Sequence, residues 1–262
     1  MITAASNSRI KRLVQLNQKS KLRRTEDVFL AEGVKMFLEA PREQLQEVYV
    51  SESFLEKCSC REHLEEVGYE VVSDSVFSKI SDTCTPQGVL CVLKQFHYNI
   101  EEMLRDKAPL FLLLENIQDP GNLGTMLRTG EGAGVSGIIM SRDTVDLYNQ
   151  KVIRSTMGSI YRVPFYYADD FAAAAVHQVQ QAGVSVYAAH LRGKNSYACQ
   201  DYTKGTAFLI GNEGNGLREE TAELADCYIR IPMEGKVESL NAAVASSILM
   251  YEAHRQRATI EK

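Results

Sequence analysis

Three short runs in the chain are apolar at nearly every position: Leu110–Leu114 (LFLLL), Gly137–Met140 (GIIM) and Ala207–Ile210 (AFLI). A strand with one face in water alternates polar and apolar residues, so unbroken apolar runs belong to strands covered on both faces, the signature of a parallel sheet. The stretches between them carry helical spacing, in PGNLGTMLRTGEGAG, VDLYNQKVIRSTMG and DDFAAAAVHQVQQAG, with YRVPFYY and VSVYAAHL as further extended pieces. Residues 109–262 therefore read as a mostly parallel sheet with helices on both faces. Ligands of such sheets sit beyond the carboxyl ends of the strands. Three strands end in polar or glycine-rich loops, Glu115–Gly124, Gly211–Gly216 and Met233–Ser239, which are predicted to converge on one edge.

The front of the chain reads differently. Strand-like QEVYVS, GYEVV and GVLCVLK alternate with helix-like segments such as ESFLEKCSCREHLEEV, giving a smaller α/β domain over residues 1–95, and the charged segment 96–108 reads as a linker. From Met1 to Thr25 no residue is acidic, while Arg9, Lys11, Arg12, Lys19, Lys21, Arg23 and Arg24 are basic. Ile10, Leu13, Val14 and Leu16 put an apolar face on the same segment, so it is predicted to be an amphipathic helix whose basic side either is simply solvated or grips phosphates. The net charge of −5 excludes a uniformly basic nucleic-acid coat but leaves room for such a patch. No apolar run reaches membrane-span length and the N-terminus lacks a signal-peptide core, which makes a cytoplasmic protein the expectation. The six cysteines and five histidines are too scattered to indicate a metal site or a disulfide framework.

Gly132, Gly134 and Gly137 match G-x-G-x-x-G by letter, but here the glycines close a helix and lead into a strand, the reverse of a dinucleotide site, so they read as a helix C-cap and turn. A nucleotide-dependent oxidoreductase is thereby set aside, and no P-loop sequence is present. In DPGNLGTMLR, Pro120 and Gly121 are predicted to make the turn and Asn122 to cap the helix that carries Arg128 six residues on. In GNEGNG the glycines allow close backbone approach to a ligand and Glu213 adds a carboxylate. Taken one at a time, a plain N-cap, a surface ion pair and a tight turn explain these residues. The last helix is predicted to start near Ser239, with Leu240, Val244, Ile248 and Tyr251 on one face and alanines leaving room for close packing. Ser239 or Glu238 serves as its cap, which leaves Asn241, in the first turn, without a role.

NIQDPGNLGTMLRTGEGAG, FLIGNEGNGL and IPMEGKVESLNAAVASSILMYE, in this order and with KVIRSTMGSIYRVP between the first two, resemble the three motifs of the SpoU class of RNA ribose methyltransferases, in the SPOUT superfamily. The resemblance runs from about Pro109 onward without departure at the polar motif positions. SNSRIKRLVQLNQKSKLRRTEDVFLAEG resembles, less specifically, the substrate-binding domain in front of many members. The resemblance implies a C-terminal domain tied in a deep trefoil knot behind a smaller L30e-like α/β domain, working as a homodimer without metal. It implies methyl transfer from S-adenosylmethionine to a ribose 2′-hydroxyl, of ribosomal RNA ahead of transfer RNA; the alternative is a ribosome-associated RNA-binding protein that has lost transfer. It assigns catalytic positions to Arg128, Asn122, Glu213, Ser239 and Asn241. The cofactor pocket is expected to draw on Ala189, His190 and Leu191, on Gly211, Asn212 and Gly216, and on Ile231, Met233 and Leu240. Arg9 to Arg24 become the RNA-binding set. Dimerisation rests on the resemblance alone, since no apolar stripe in the sequence demands it.

Overall fold

The computed structural model describes residues 1–259, except the side chains of 173 and 174, as two compact units. The first joins residues 1–96 to the distant segment Asp146–Tyr161, and the second holds 97–145 and everything from Arg162 onward.

The first unit is built on a four-stranded sheet of β1 (Val28–Glu32), β2 (Leu45–Ser51), β3 (Glu70–Val72) and β4 (Val89–Lys94), in the order β1-β4-β2-β3. β4 runs antiparallel to both neighbours, and β2 and β3 are parallel. Helix Ser8–Gln18, capped by Asn7, lays Ile10, Leu13 and Leu16 onto Leu30, Tyr49, Leu90 and Val92 of the sheet, as its apolar spacing predicts. The segment 146–161 was expected in the second domain, but it packs with this unit. Tyr148 lies against Phe29 at 4.7 Å between ring centroids, Gln150 donates to the Leu30 carbonyl (2.9 Å), and the Tyr161 hydroxyl donates to the Met36 carbonyl (3.0 Å). Helix Gln150–Thr156 buries Val152 and Ile153 between these anchors. Its helical periodicity is visible in the sequence, whereas the sheet it covers is not.

The second unit carries seven strands, β5 (Leu110–Leu114), β6 (Gly137–Ser141), β7 (Phe165–Ala168), β8 (Ser185–Ala189), β9 (Asn195–Ser196), β10 (Thr206–Ile210) and β11 (Cys227–Arg230). Their order is β7-β6-β5-β10-β8-β11-β9 and every pairing is parallel. The apolar runs become β5, β6 and β10, buried at every position. One face of the sheet packs Phe111, Leu113, Ile139 and Leu209 against Phe171, Ala175, Val176 and Val179. Ile100 and Met103 join that cluster from helix Ile100–Met103, so 97–108 is part of the fold and not a bare linker. Gly134 closes helix Pro120–Ala133 in the left-handed conformation (φ 76°), the C-cap expected of it.

Helix Pro120–Ala133 and the C-terminal helix Ala242–Ala258 lie side by side and point the same way: Asn122 meets Asn241, Thr129 meets Ser247 (3.4 Å), and Gly130 and Gly132 lie near Met250 and Tyr251. The two N-termini therefore open on the same end of the unit. The C-terminal helix buries Ala242, Ala243, Ser246, Leu249, Met250 and Ala253. The face bearing Val244 and Tyr251 is turned outward, at 48% and 50% exposure, so an apolar stripe does exist, on the surface. Small residues win the buried side because they let the two helix backbones approach.

Among the described residues no helix is long and apolar enough to cross a membrane. One half-buried charge closes the opposite end of the sheet. Arg257 donates to the carbonyls of Ala108, Tyr202 and Lys204 (2.7–2.9 Å) and Pro109 (3.2 Å), just ahead of β5 and β10. Arg257→Met leaves these acceptors without their donor, and urea unfolding should show a loss of about 2–4 kcal/mol.

Candidate functional site

β5 and β10 are neighbours, so the loops leaving their carboxyl ends meet, and one carboxylate joins them. Glu213 accepts from the backbone N–H groups of Gln118 (3.1 Å) and Asp119 (3.0 Å) and from the Asn122 side-chain amide (2.9 Å). The Asn122 oxygen accepts from the Asn241 amide (2.9 Å), and the Asn241 oxygen accepts from the N–H groups of Ala243 (2.9 Å) and Val244 (3.2 Å). Glu213 offers only acceptors, so it fixes which way each amide points along the chain. Burial pushes the Glu213 carboxyl up, but the hydrogen bonds, Asn122's first, outweigh it and hold its pKa below the ordinary range.

This arrangement corrects two capping assignments. The cap of helix Pro120–Ala133 is Asp119, which accepts from Asn122 N–H, with Pro120 in the first turn where its missing N–H does no harm. Asn122 is instead buried. The cap of the last helix is Asn241 itself, and Ser239 stands exposed without a hydrogen bond among the described residues. Arg128 lies six residues beyond Asn122, about 9 Å along the axis. It is exposed, with no ion pair among the described residues. The Cα–Cβ bond of a helical residue tilts toward the helix N-terminus, which for Arg128 is the Asn122 end.

A second layer holds these loops. Asn116 adopts a left-handed backbone (φ 55°), a conformation asparagine tolerates better than most residues. Its N–H donates to Ser141 (2.8 Å), its carbonyl accepts from the Asn212 amide (2.8 Å) and its side-chain oxygen from Gln118 (2.6 Å). Asn212 also accepts from the N–H groups of Gly214 and Asn215 (3.0 Å each), which closes the turn ending at Gly216 (φ 70°). Gly211 is required there: a Cβ would lie 2.2 Å from the Gly216 and Leu217 backbone. Glu115, 1% exposed, accepts from Arg218 N–H (2.8 Å) and the Thr221 hydroxyl (2.6 Å), and Arg218 pairs with Asp143. Asn116, Gln118, Glu115, Asp143 and Arg218 were not singled out in the sequence. Glu115 alone left a signal, as a carboxylate directly ending an apolar strand.

The third set of loops borders β8 and β11. Ala189 ends β8, and the next residue, His190, donates its backbone N–H to the Ile229 carbonyl (3.0 Å) and stacks on Tyr228. Burial, helped by Arg192, lowers the His190 pKa, leaving Nδ1 free to accept from Arg192 N–H (3.1 Å). Leu191 and Val237 stand 68% and 59% exposed. Residues 231–240, which include Ile231, Met233 and Leu240, form a largely exposed loop outside the sheet and helices, with a turn at Gly235 (φ 80°) and Lys236. No cluster of three or more potential metal ligands occurs among the described residues.

The basic front segment divides. Lys11, Lys19, Lys21 and Arg24 are exposed and make no ion pair among the described residues. Arg9 pairs with Glu70, and Arg12 with Glu26 and Glu47, each at 2.7 Å. Arg23 does not face solvent. It is 3% exposed, donates to the carbonyls of Leu16 (2.6 Å) and Asn17 (3.2 Å), and pairs with Asp146, so it ties the segment 146–161 to the front helices and leaves the RNA-binding set.

Glu213 gives a test by pH. Its contribution is complete above the ordinary value of about 4.5 and is lost as the pH falls through the lower folded value. At neutral pH Glu213→Gln should lower stability by about 1–2 kcal/mol in urea unfolding, and the gap from wild type should close as the medium becomes acid.

Residues 109–251 match the SpoU rRNA Methylase family, and residues 7–91 match the MRM3-like substrate binding domain. A 23S rRNA (guanosine(2553)-2′-O)-methyltransferase, RlmP, of Bacillus subtilis is 32% identical over 95% of this chain and 97% of its own. The AdoMet-bound rRNA methyltransferase of Sinorhizobium meliloti superposes with a TM-score of 0.84 at 31% identity, over 97% of each chain. The SpoU methyltransferase AviRb of Streptomyces viridochromogenes, in complex with AdoMet, gives 0.87 at 26%, over 97% of this chain and 99% of the other. With the matched region carrying the joined loops of Asn122, Glu213 and Asn241, this chain belongs to the SpoU rRNA methylase family.

Proposed function

We propose that the protein transfers a methyl group from S-adenosylmethionine to a ribose 2′-hydroxyl of ribosomal RNA. The observation that carries this reading is the Glu213–Asn122–Asn241 chain, which joins all three family motifs into one polar site. The cofactor fits the residues present: the exposed backbone of the 231–240 loop offers donors and acceptors for a nucleoside, and Leu191 and Val237 offer apolar cover. Ala189, His190, Leu191, Gly211, Asn212, Gly216, Ile231, Met233 and Leu240 would hold it. Bound S-adenosylmethionine supplies a methyl already activated by its sulfonium, so the protein need only orient the sugar oxygen in line and exclude water.

Arg128 takes the substrate side. A guanidinium is a poor base, so its role is to hold the neighbouring phosphate and stabilise negative charge growing on the 2′-oxygen as the proton leaves to solvent. Asn122 and Asn241 keep the two helix ends in register for that contact, and Ser239 meets the ligand from the open loop. Ribosomal RNA is favoured over transfer RNA because the Bacillus relative aligned along nearly its whole length acts on 23S rRNA. The exposed stripe of Val244 and Tyr251 supports pairing of two copies through the last helix. β10 lies between β5 and β8, an order in keeping with a trefoil-knotted domain. The RNA substrate argues for a cytoplasmic location.

Arg128→Lys keeps the charge but loses the planar fork. It should retain RNA affinity within a few-fold while turnover on ribosomal RNA falls about 100-fold; near wild-type turnover would remove Arg128 from the chemistry. Isothermal titration should show S-adenosylmethionine binding in both proteins, and a wild type that binds none is not a methyltransferase. Neutralising Lys19, Lys21 and Arg24 together should weaken RNA binding and flatten its salt dependence, at unchanged cofactor affinity. Val244→Asp with Tyr251→Asp should give a single copy in light scattering.

A further inference from the structure

The first unit carries a cleft that no step above uses. It has a volume of about 410 Å³, within the range of small-ligand sites, roughly 300–1,000 Å³. Arg9 and Arg12 of the first helix form one wall, Gln46 and Glu47 of β2 the floor, and Gly68 and Glu70 the far lip. A smaller hollow of about 220 Å³ continues it over Gln46 and Gly68.

Three features of the backbone converge there. β2 pairs with β3 only from Tyr49 onward, so Gln46–Val48 have no strand on that side among the described residues and present a bare edge. The pairing of β2 with β4 slips between Leu45 and Glu47, which makes Gln46 the extra residue of a β-bulge. Bulges re-aim a side chain and recur beside functional sites. On the opposite lip Gly68 has φ 75°, and a Cβ built on it would touch nothing within 4 Å, so that lip is open backbone.

The charges select the ligand. Arg9 is matched by Glu70 and Arg12 by Glu47, each at 2.7 Å, so the cleft has no surplus of either sign. A phosphate calls for excess positive charge and a cation for excess negative. A flat group with donors and acceptors along one edge matches a strand edge flanked by guanidinium forks and carboxylates. We propose that this cleft receives an unpaired nucleobase of the RNA substrate, its edge read by the β2 backbone and Gln46, while Lys11 on the same helix and its basic neighbours hold the phosphates. The inference rests on the RNA-methylating reading. A docked peptide strand fits less well, because three bare residues offer too short an edge for strand addition.

The test uses the full chain and two charge-neutral changes, Gln46→Leu and the pair Arg9→Gln with Glu70→Gln. The probes are a short mixed-sequence single-stranded RNA and the same strand with abasic riboses. Wild type should bind the base-bearing strand about tenfold more tightly, in keeping with what a stacked or hydrogen-bonded base contributes. Both variants should lose that preference with an unchanged salt slope, and on ribosomal RNA should show a raised KM at an unaltered kcat. Photo-crosslinking of wild type with 4-thiouridine RNA should label residues 44–50 or 66–70. Equal affinity of wild type for the two strands, full preference in both variants, or labels confined to other segments would overturn the proposal, as would capture of a peptide in the cleft while RNA leaves it untouched. Each of these leaves methylation by wild type intact, whereas the absence of any methyl transfer to ribosomal RNA would instead sink the functional reading.

Discussion

A single carboxylate sets the order of the site. Glu213 has no proton to give at neutral pH, so every group that meets it must be a donor, and the two asparagines beyond it are oriented in turn. The chain ends on the first free N–H groups of the last helix, where the positive end of the helix dipole favours an acceptor. A neighbouring helix begins at Asp119 and points the same way, so two positive helix ends flank one spot. That spot suits an anion, and the Glu213 carboxylate supplies it.

The distance between framework and open surface is short. Asn116, Asn212, Gln118 and the Arg218–Asp143 pair form a hydrogen-bonded frame on the β5 and β10 side, while residues 231–240 on the β11 side form an exposed loop. A bonded frame beside an open loop divides the work, since precision comes from the first and room for a ligand from the second.

Much of this was legible in the sequence, and the failures share a cause. Apolar runs announced β5, β6 and β10 because burial on both faces removes any need for alternation, and Gly134 announced its C-cap because few residues accept that backbone. Asn241 was misread because Ser239, Glu238 and Asn241 are all plausible caps by letter; only the Asn122 oxygen, brought in by the fold, selects among them. The outward turn of Val244 and Tyr251 escaped for a similar reason. Side-chain size suggests they belong inside, but the partner helix offers Gly130 and Gly132, which reward the small residues instead. Arg23 looked like its basic neighbours until Leu16, Asn17 and Asp146 closed around it.

The two-piece makeup of the first unit has a consequence for biogenesis. Its sheet is complete by Lys94, yet the strap that covers Phe29 and caps the Leu30 and Met36 carbonyls ends only at Tyr161. During synthesis the early sheet therefore waits, one side uncovered, while the 67 residues from Gln95 to Tyr161 leave the ribosome at roughly 5–20 per second, an interval of roughly 3–13 seconds. Holdase chaperones would find their target in that window, on an apolar surface that the finished molecule no longer displays.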